Sequence, residues 1–421
     1  MKKILSGNEA VARGCYEAGL HVATAYPGTP STEILENVSQ YKEIYSEWSP
    51  NEKVAFEVAM GATFEGARTL VAMKHVGVNV AADPFMSMSL IGAPGGFIVV
   101  SADDPGMHSS QNEQDNRYYA KFAGYPCLEP SDSQEAKDFV AAGLEISETF
   151  DVPVLFRMTT RICHSKTVVE CEERTEYPIK GFKRNPKKFV VLPAHGRERH
   201  PWAVDRLKKL TDFSDKTPLN VLDLKDSAVG IITNGVAYNY VKEVLPEASL
   251  LKLGMSYPLP MKKIRELNDH VDALYVVEEL EPFIEEQIKA AGIACEGKKY
   301  WNNLGELSPE RVEQGFVEAG VLKQSTRDTA VEQDVIARPP IFCPGCPHRG
   351  LYYSLNKEKA LVTTDIGCYT LGVLPPLAAG DTCVEMGASI GVAVGMSKAR
   401  GSGKNIVATI GDSTFLHSGM T

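Results

Sequence analysis

The sequence contains no apolar stretch of about 18 residues or more, the length that a membrane-spanning helix needs. Its first residues, MKKILSGNEAVARG, carry two lysines but become polar after Leu5, so the apolar core of a secretory signal is lacking as well. These absences argue against a membrane-spanning or secreted protein, and we expect a cytoplasmic one.

Clusters of positive charge are missing too. The formal net charge is −10, and no Lys/Arg run of the kind found in nucleic-acid-binding segments occurs. A general nucleic-acid-binding function is therefore excluded. Structural disulfides are not expected either, although the chain has nine cysteines, because a secretory context is absent. In a reducing compartment, closely spaced cysteines more often serve metal or redox chemistry.

What the sequence does contain is a regular alternation of strand-like and helical segments. This alternation predicts parallel sheets covered by helices on both faces, and thus an α/β protein with several domains. We expect a first domain over residues 1–180, a linker with an extended or loop-rich path over 181–218, a second domain over 219–325 and the start of a third over 336–421.

Two motifs of the first domain carry candidate site residues. AYPGTPST predicts a sharp turn that leaves Thr29 exposed at the carboxyl edge of a sheet, where α/β proteins bind ligands. In SPNEKVAFEVAMGATFEGAR, Glu52 lies at a predicted helix N-terminus, with Ser49 or Asn51 as the cap. A connecting turn and a favourable helix-dipole interaction would explain both without any function. The functional interpretation is that Glu52 hydrogen-bonds a ring nitrogen of a cofactor, with Glu57 as a weaker candidate.

Near the end of the chain, IVATIGDSTF places Asp412 directly after a glycine at the end of a predicted strand. Such a carboxylate can hold Mg²⁺, while nearby backbone N–H groups receive a diphosphate. The segment MGASIGVAVG, residues 386–395, begins a helix with small residues that let a ligand approach the backbone. Ordinary turns and close helix contacts would give the same patterns.

The motif CPGCPHRG places Cys343 and Cys346 on one Pro/Gly turn, and Cys368 follows 22 residues later at the end of a strand. Thiolates on tight turns suit an iron–sulfur cluster or zinc. Thiols without a metal are the alternative. Cys383 is a possible fourth ligand and His348 another, although a core position and a helix start are the simpler interpretations of these two residues.

The order of these motifs along the chain carries a resemblance that none of them has alone. AYPGTPST, NEKVAFEVAMGATFEGAR, CPGCPHRG, DIGCYTLG and GDSTFLHSG together resemble the 2-oxoacid:ferredoxin oxidoreductases, which belong to the thiamine-diphosphate-dependent superfamily. Within this family, the whole sequence is most similar to the alpha subunits of the enzymes that act on indolepyruvate.

The resemblance implies a pyrimidine-binding domain over 1–180, a transketolase C-terminal-like domain over 219–325 and an incomplete diphosphate-binding domain over 336–421. It also implies two catalytic residues: Glu52, which would contact the aminopyrimidine ring of thiamine diphosphate, and Thr29, near the substrate and the thiazolium ring.

The resemblance further implies the groups that bind cofactors. Those expected around the diphosphate are Gly387, Ser389, Gly411, Asp412 and Ser413, with Asp412 as a Mg²⁺ ligand. Those expected to bind a [4Fe–4S] cluster are Cys343, Cys346 and Cys368.

The implied activity is oxidative decarboxylation, of the EC 1.2.7 type. Indole-3-pyruvate, coenzyme A and oxidised ferredoxin would give indole-3-acetyl-CoA, carbon dioxide and reduced ferredoxin. The expected partners are a smaller beta subunit and ferredoxin, with coenzyme A and an arylpyruvate as substrates; neither nucleic acid nor a membrane is expected.

Two departures from the family pattern stand out. Pyruvate-using relatives carry an arginine for the substrate carboxylate after the strand that matches FIVVSA, whereas this chain reads DDPGMHSS. This favours a bulkier arylpyruvate, with His108 or Arg117 as the carboxylate contact. The family pattern continues with a second Mg²⁺ ligand, an asparagine about two dozen residues after the Gly-Asp turn, and with a Cys-rich tail, and neither lies in this sequence. We therefore expect a partial sequence.

Three alternatives remain open. The chain could belong to another 2-oxoacid oxidoreductase or to a non-oxidative decarboxylase, which would need no electron route through the three cysteines. It could be a truncated scaffold that binds a partner without catalysis. A structural zinc protein would leave Glu52 and the Gly-Asp turn unexplained.

Overall fold

The computed structural model describes residues 1–327 and 339–420, which form two compact units. The first unit comprises residues 1–327 and the second comprises residues 339–420. No helix of these described ranges is both long and apolar enough to cross a membrane.

The first unit contains fourteen α-helices and thirteen strands. The helices are α1 (Gly7–Glu17), α2 (Thr32–Val38), α3 (Glu52–Phe64), α4 (His75–Val80), α5 (Ala82–Ile91), α6 (Arg117–Ala123), α7 (Ser133–Phe150), α8 (Thr160–His164), α9 (Pro186–Phe189), α10 (Pro193–Ser214), α11 (Ala237–Val244), α12 (Met261–His270), α13 (Phe283–Ala290) and α14 (Pro309–Glu318). The strands are β1 (Lys2–Ser6), β2 (Val22–Ala25), β3 (Tyr45–Trp48), β4 (Thr69–Lys74), β5 (Phe97–Asp103), β6 (Cys127–Leu128), β7 (Val154–Thr159), β8 (Lys166–Glu170), β9 (Asn220–Asp223), β10 (Asp226–Asn234), β11 (Ala248–Leu253), β12 (Met255–Tyr257) and β13 (Ala273–Val277).

A seven-stranded sheet in the order β12-β6-β7-β5-β4-β2-β3 is the centre of the first unit. All its neighbouring pairs are parallel except β12 with β6. Strands β5 and β7 are buried along their full length, as expected for a sheet with helices on both faces. The predicted α/β class with parallel sheets is confirmed.

A four-stranded sheet in the order β13-β10-β11-β9 lies in the second half of the first unit. Strand β10 pairs in parallel with both β11 and β13. The short strand β12, which follows β11, leaves this sheet and joins the edge of the seven-stranded one. The predicted boundary between domains 1–180 and 219–325 is thus crossed by backbone hydrogen bonds, and the domain bounds stay a prediction.

The extended or loop-rich path predicted for 181–218 is wrong for most of that range, because α10 is a helix of 22 residues. Pro193 stands at its N-terminus, where a missing N–H costs nothing. Arg206 on this helix is buried and donates to the carbonyls of Ser89 and Asp151. Helix α10 is therefore held by contacts of its arginine with distant backbone carbonyls. Its polar sequence does not reveal these contacts.

The second unit is built around a parallel strand pair, β14 (Leu361–Thr363) and β15 (Ile406–Ala408). Its α-helices are α15 (His348–Lys357), α16 (Ala388–Arg400) and α17 (Asp412–Thr414). A 3₁₀ helix at Cys368–Val373 and a π-helical turn at Phe415–Gly419 complete it. Both predicted strands are present, but β14 ends at Thr363, so the predicted position of Cys368 at a strand end is wrong: Cys368 begins the 3₁₀ helix.

Two buried arginines connect the parts of the first unit. Arg157 on β7 is 3% exposed; its Nε donates to Asp103 Oδ2 at 2.6 Å and its Nη1 donates to Glu129 Oε2. Asp103 ends β5 and Glu129 follows β6. One guanidinium therefore connects the carboxyl ends of three neighbouring strands.

Arg117, at the start of α6, connects the seven-stranded sheet to the four-stranded one. Its Nε donates to Asp115 Oδ1 at 2.8 Å, and its Nη1 donates to Glu278 Oε2 at 2.6 Å. Glu278 directly follows β13. Further hydrogen bonds reach the carbonyls of Glu279 and Glu281. We call Asp103, Asp115, Arg117, Glu129, Arg157 and Glu278 the buried arginine network.

The carboxylates of the buried arginine network are held by cations. Burial alone would raise the pKa of Asp115, but the guanidinium groups of Arg117 and Arg157 more than offset it, so the pKa of this carboxyl lies below its usual range. Removal of one cation would leave buried carboxylates without a compensating charge. This destabilises a protein more than replacement of the whole ion pair by apolar residues does.

Arg157→Leu should therefore destabilise the first unit by about 3–5 kcal/mol, because it leaves Asp103 and Glu129 buried without their cation. Denaturant unfolding followed by circular dichroism measures the change. The matched control is Arg161→Gln, since Arg161 is half-exposed in its pair with Glu306 and such pairs contribute about 1 kcal/mol or less. Equal losses for both variants would contradict the structural role of the network.

Candidate functional site

The strand order of the seven-stranded sheet reverses between β2 and β4. After β2, the chain forms β3 on one side and then returns to form β4 on the other side of β2. Ala25 of β2 pairs with Ala72 of β4, so both strands end at the same edge. In open α/β sheets, ligands bind outside the carboxyl ends of the strands at such a switch point.

Thr29 lies in the turn that follows β2 at this switch point. The turn is closed by a hydrogen bond from Ser31 N–H to the Gly28 carbonyl at 2.8 Å, and the Gly28 N–H donates to Thr32 Oγ1 at 3.0 Å. The Pro30 carbonyl accepts a hydrogen bond from the amide of Asn8 at 2.7 Å. Thr29 is exposed. The structure thus holds Thr29 at the carboxyl edge of the sheet, as the sequence predicts.

Glu52 is the first residue of α3 and is 5% exposed. The Asn51 side chain caps the helix by accepting from Val54 N–H at 2.9 Å, which confirms one of the two predicted caps. Gly77 of α4 packs against the carboxylate: a Cβ atom at Gly77 would lie 2.7 Å from Glu52 Oε1. By contrast, Glu57 is on the surface and pairs with Lys53. Burial therefore distinguishes the two candidate glutamates.

The sequence interpretation missed Lys74 and Asp104 at the same edge. Lys74 ends β4, and its Nζ donates to the Ser109 carbonyl at 2.8 Å. Asp104 follows β5 and accepts from Ser109 N–H, Ser110 Oγ and Thr160 Oγ1 at 2.7 to 2.8 Å. The signal that could have found them is a charged side chain directly after a buried strand, in TLVAMKH and FIVVSADD.

Burial lowers the pKa of Lys74, and the carboxylates of Asp104 and Glu52 act in the opposite direction. Both carboxylates are thus close enough to interact electrostatically with this ammonium. Lys74, Glu52 and the Thr29 turn consequently belong to one region around the switch point.

The two residues predicted to contact a substrate carboxylate, Arg117 and His108, differ in accessibility. Arg117 is wrong for this role, because it is fully buried and its guanidinium is taken up by the buried arginine network. His108 is accessible, with its side chain about half-exposed, and its Nε2 lies 2.9 Å from Glu306 Oε1. Arg161 bonds to the same glutamate through Nε and Nη2.

In the second unit, the N-terminus of α16 is held by the buried carboxylate of Asp365. Oδ1 accepts from Gly387 N–H at 2.9 Å, and Oδ2 accepts from Ser389 N–H at 3.1 Å. Gly387 has a φ of 96°, and a Cβ atom there would lie 2.6 Å from Ser418 Oγ, so only glycine is tolerated. The buried hydroxyl of Ser389 has no hydrogen-bond partner among the described residues.

Asp412 lies after β15 and begins α17. Its side chain is exposed, as is that of Ser413. The preceding Gly411 is fixed by a hydrogen bond from its N–H to the hydroxyl of Tyr369 at 3.0 Å. The three residues follow a strand whose partner, β14, leads to Asp365. The structure thus gathers the Gly-Asp turn and the α16 N-terminus at the end of the strand pair.

All nine cysteines are free, and those of the two units differ in exposure. The cysteines of the first unit are all buried. In the second unit Cys343, Cys368 and Cys383 are exposed and Cys346 is partly exposed. The CPGC turn is closed by a hydrogen bond from Cys346 N–H to the Cys343 carbonyl at 3.1 Å, with Gly345 at a φ of 75°.

Within residues 1–327 and 339–420, no group of three or more His, Cys, Asp or Glu side chains is arranged to hold a metal ion. The chemistry of the donors nevertheless fits the predicted clusters: accessible thiols suit iron–sulfur ligation, and the exposed carboxylate of Asp412 suits Mg²⁺. The helix N-terminus at Gly387, with the unpartnered hydroxyl of Ser389, suits a diphosphate. His348 begins α15, which agrees with the predicted helix start, the simpler alternative to a role as metal ligand.

Comparison with known proteins agrees with this geometry. Residues 13–209 match the family described as "Pyruvate flavodoxin/ferredoxin oxidoreductase, thiamine diP-bdg". The solved structure of a 2-oxoglutarate:ferredoxin oxidoreductase from Magnetococcus marinus, with 2-oxoglutarate, coenzyme A and succinyl-CoA bound, matches with a TM-score of 0.62 at 16% identity. The match covers 75% of this chain and 65% of that one, and it concerns the fold alone.

Relatives with higher identity cover the whole chain. Indolepyruvate oxidoreductase subunit IorA of Archaeoglobus fulgidus is 44% identical over 100% of this chain and 71% of its own length. The IorA subunit of Pyrococcus horikoshii is 42% identical with the same coverage. The resemblance inferred from the order of the motifs is confirmed: the chain belongs to the family of IorA subunits of indolepyruvate oxidoreductases, within the 2-oxoacid:ferredoxin oxidoreductases.

Proposed function

We propose that this chain is the subunit of a ferredoxin-dependent oxidoreductase that carries the first steps of arylpyruvate oxidation. One observation carries the proposal: Glu52 is a buried glutamate at a helix N-terminus beside the switch point, in a chain that is 44% identical to an indolepyruvate oxidoreductase subunit. The reaction converts indole-3-pyruvate, coenzyme A and two oxidised ferredoxins into indole-3-acetyl-CoA, carbon dioxide, two reduced ferredoxins and a proton.

Thiamine diphosphate, when bound, supplies the nucleophilic carbon and the electron sink that this decarboxylation needs. Glu52 would hold its aminopyrimidine ring by a hydrogen bond to a ring nitrogen. Burial suits this role, because a carboxylate in a site of low dielectric interacts more strongly with a hydrogen-bonding partner than one in water. Thr29, exposed in its turn, would contact the substrate or the thiazolium ring.

For the second unit, considered by itself, we propose a role in binding a diphosphate. We assign to it the α16 N-terminus and the Gly-Asp turn, namely Gly387, Ser389, Gly411, Asp412 and Ser413. The helix N-terminus favours anions through its N–H groups and dipole. Asp412 would bind Mg²⁺ with its carboxylate, which is exposed after β15.

Accessible thiols in the second unit support the oxidative route over simple decarboxylation. A decarboxylase needs no path for two electrons, whereas this chain presents Cys343 and Cys346 on one turn and Cys368 at the start of a 3₁₀ helix, all three at least partly exposed. We propose that these three residues bind a [4Fe–4S] cluster that passes electrons towards ferredoxin. A beta subunit is the proposed partner and the cytoplasm the proposed compartment, which suits a chain whose nine cysteines are all free.

A role as a scaffold without catalysis is the second candidate. The packing of Gly77 against Glu52 argues against it, because a scaffold has no need to bury a carboxylate at the sheet's switch point. Substitution of Glu52 separates the two roles.

Glu52→Gln in the complex with its partner subunit should lower kcat by at least about 100-fold, since the neutral amide cannot act as a hydrogen-bond acceptor of equal strength at the ring nitrogen. Indolepyruvate-dependent reduction of ferredoxin is the assay. Glu57→Gln is the matched control, because Glu57 lies on the same helix but on the surface, and it should retain normal turnover. Full activity of the Glu52 variant would leave the scaffold role as the better account.

Asp412→Asn should weaken the binding of thiamine diphosphate with Mg²⁺ about 10- to 100-fold, because one charged metal ligand is lost. Titration of cofactor-depleted complex with thiamine diphosphate at fixed Mg²⁺ gives the affinity. Glu358→Gln, another exposed carboxylate of the second unit, should bind the cofactor normally. Identical titrations for the wild-type and Asn variants would remove Asp412 from the metal site.

Cys343→Ser and Cys368→Ser should each remove most of the iron and acid-labile sulfide that this proposed cluster contributes, in complex prepared without oxygen. Both contents are measured per chain. Cys171→Ser, which alters a buried thiol of the first unit, is the control and should keep the full iron content. The same measurement on Cys383→Ser decides whether Cys383 is the fourth ligand. Unchanged iron in the Cys343 and Cys368 variants would reject the cluster.

A further inference from the structure

Lys74 lies at the switch point and is positively charged. The function proposed above assigns no role to this residue. It ends β4, the strand beside β2, whose following turn carries Thr29. The residue is half-buried, and the only hydrogen bond of its ammonium group among the described residues goes to the Ser109 carbonyl. An ammonium group has three donors, so two remain for a ligand or solvent.

The aliphatic part of Lys74 is held against the turn. A Cβ atom at Gly28 would lie 3.0 Å from Lys74 Cδ and 3.1 Å from Lys74 Cγ, so a side chain at this position would displace the lysine. Gly28 directly precedes Thr29. The close packing therefore keeps the lysine stem beside the segment where the substrate is expected.

Nearby carboxylates do not pair with this ammonium. Asp104 and Glu52 interact with Lys74 electrostatically, yet Lys74 forms no ion pair among the described residues, and its Nζ donates to the Ser109 carbonyl. The oxygens of Asp104 accept from Ser109, Ser110 and Thr160 instead. Among the described residues, Lys74 is thus a half-buried lysine without an ion pair, and its ammonium group is available to an anion.

We infer that Lys74 binds the carboxylate of the 2-oxoacid substrate. The inference rests on the proposed function and deepens it by naming the group that replaces the missing arginine after β5. Other cations near this edge are less suited. The guanidinium of Arg117 is buried in ion pairs, and both His108 and Arg161 face Glu306.

The chemistry predicts how the loss of Lys74 affects the kinetics. The carboxylate carries its full charge in the bound substrate and loses it as carbon dioxide departs. Lys74 therefore stabilises the bound substrate at least as well as the transition state of carbon–carbon cleavage. Removal of such an interaction raises KM more than it lowers kcat.

Lys74→Met, measured in the complex with its partner subunit, should raise the KM for indole-3-pyruvate about 10- to 100-fold and change kcat by much less. Lys74→Arg keeps the charge and should restore most of the affinity. Lys121→Met, at an exposed lysine of the same unit, is the control and should behave as wild type. Unchanged KM in a folded Lys74→Met complex, or an equal rise for Lys74→Arg and Lys74→Met, overturns the inference.

Binding without turnover gives a second test. The probes are indole-3-lactate, which keeps the carboxylate but has no ketone to react, and its uncharged methyl ester, both measured by calorimetry. The wild-type complex should prefer the acid, and Lys74→Met should lose that preference. Retained preference in Lys74→Met together with its loss in Arg161→Gln or His108→Gln assigns the carboxylate elsewhere. Failure of the proposed function looks different, since the wild-type complex would then not oxidise arylpyruvates.

Discussion

The buried arginine network is the constraint on which the first unit depends. Arg157 joins the carboxyl ends of β5, β6 and β7, and Arg117 joins this sheet to the segment after β13. Charges at these positions are tolerated because each guanidinium meets several oxygens at once. The same contacts anchor both ends of the loop between β5 and α6, since Asp103 also accepts from Asn116 N–H at 3.0 Å. The loop so fixed contains Ser109, the partner of Lys74.

Local patterns in the sequence predicted the strands and helices that carry the site, because each pattern has a local physical cause. The Asn51 cap defines the start of α3 and hence the place of Glu52, and the Pro/Gly turn defines the place of Thr29. These causes act over a few residues, so they can be read without a structure. The α/β class follows equally from strands buried along their length, such as β5 and β7.

Features that depend on distant contacts could not be predicted in this way. Helix α10 is polar in sequence and is held by arginine contacts to carbonyls far along the chain. Arg117 looked available because sequence alone does not reveal its pairing with Glu278, 161 residues away. Lys74 was missed for the opposite reason: that it has no ion pair with any residue the structure describes is a property of the folded edge. Whether a charge is paired is decided by tertiary structure.

Contacts within each unit decide which charged side chains remain available for a ligand. In the first unit, Arg117 and Arg157 pair with the carboxylates of the buried arginine network. Lys74 has no ion pair among the described residues and so stays available to the anionic substrate proposed for it. In the second unit, Asp365 is satisfied by the α16 N-terminus, whereas Asp412 stays exposed to solvent. An anionic cofactor group with its metal needs a free carboxylate, which Asp412 provides, and N–H donors, which Asp365 occupies at Gly387 and Ser389. Competition between Asp365 and a diphosphate for the Gly387 and Ser389 N–H groups would therefore tune how tightly the second unit holds its cofactor.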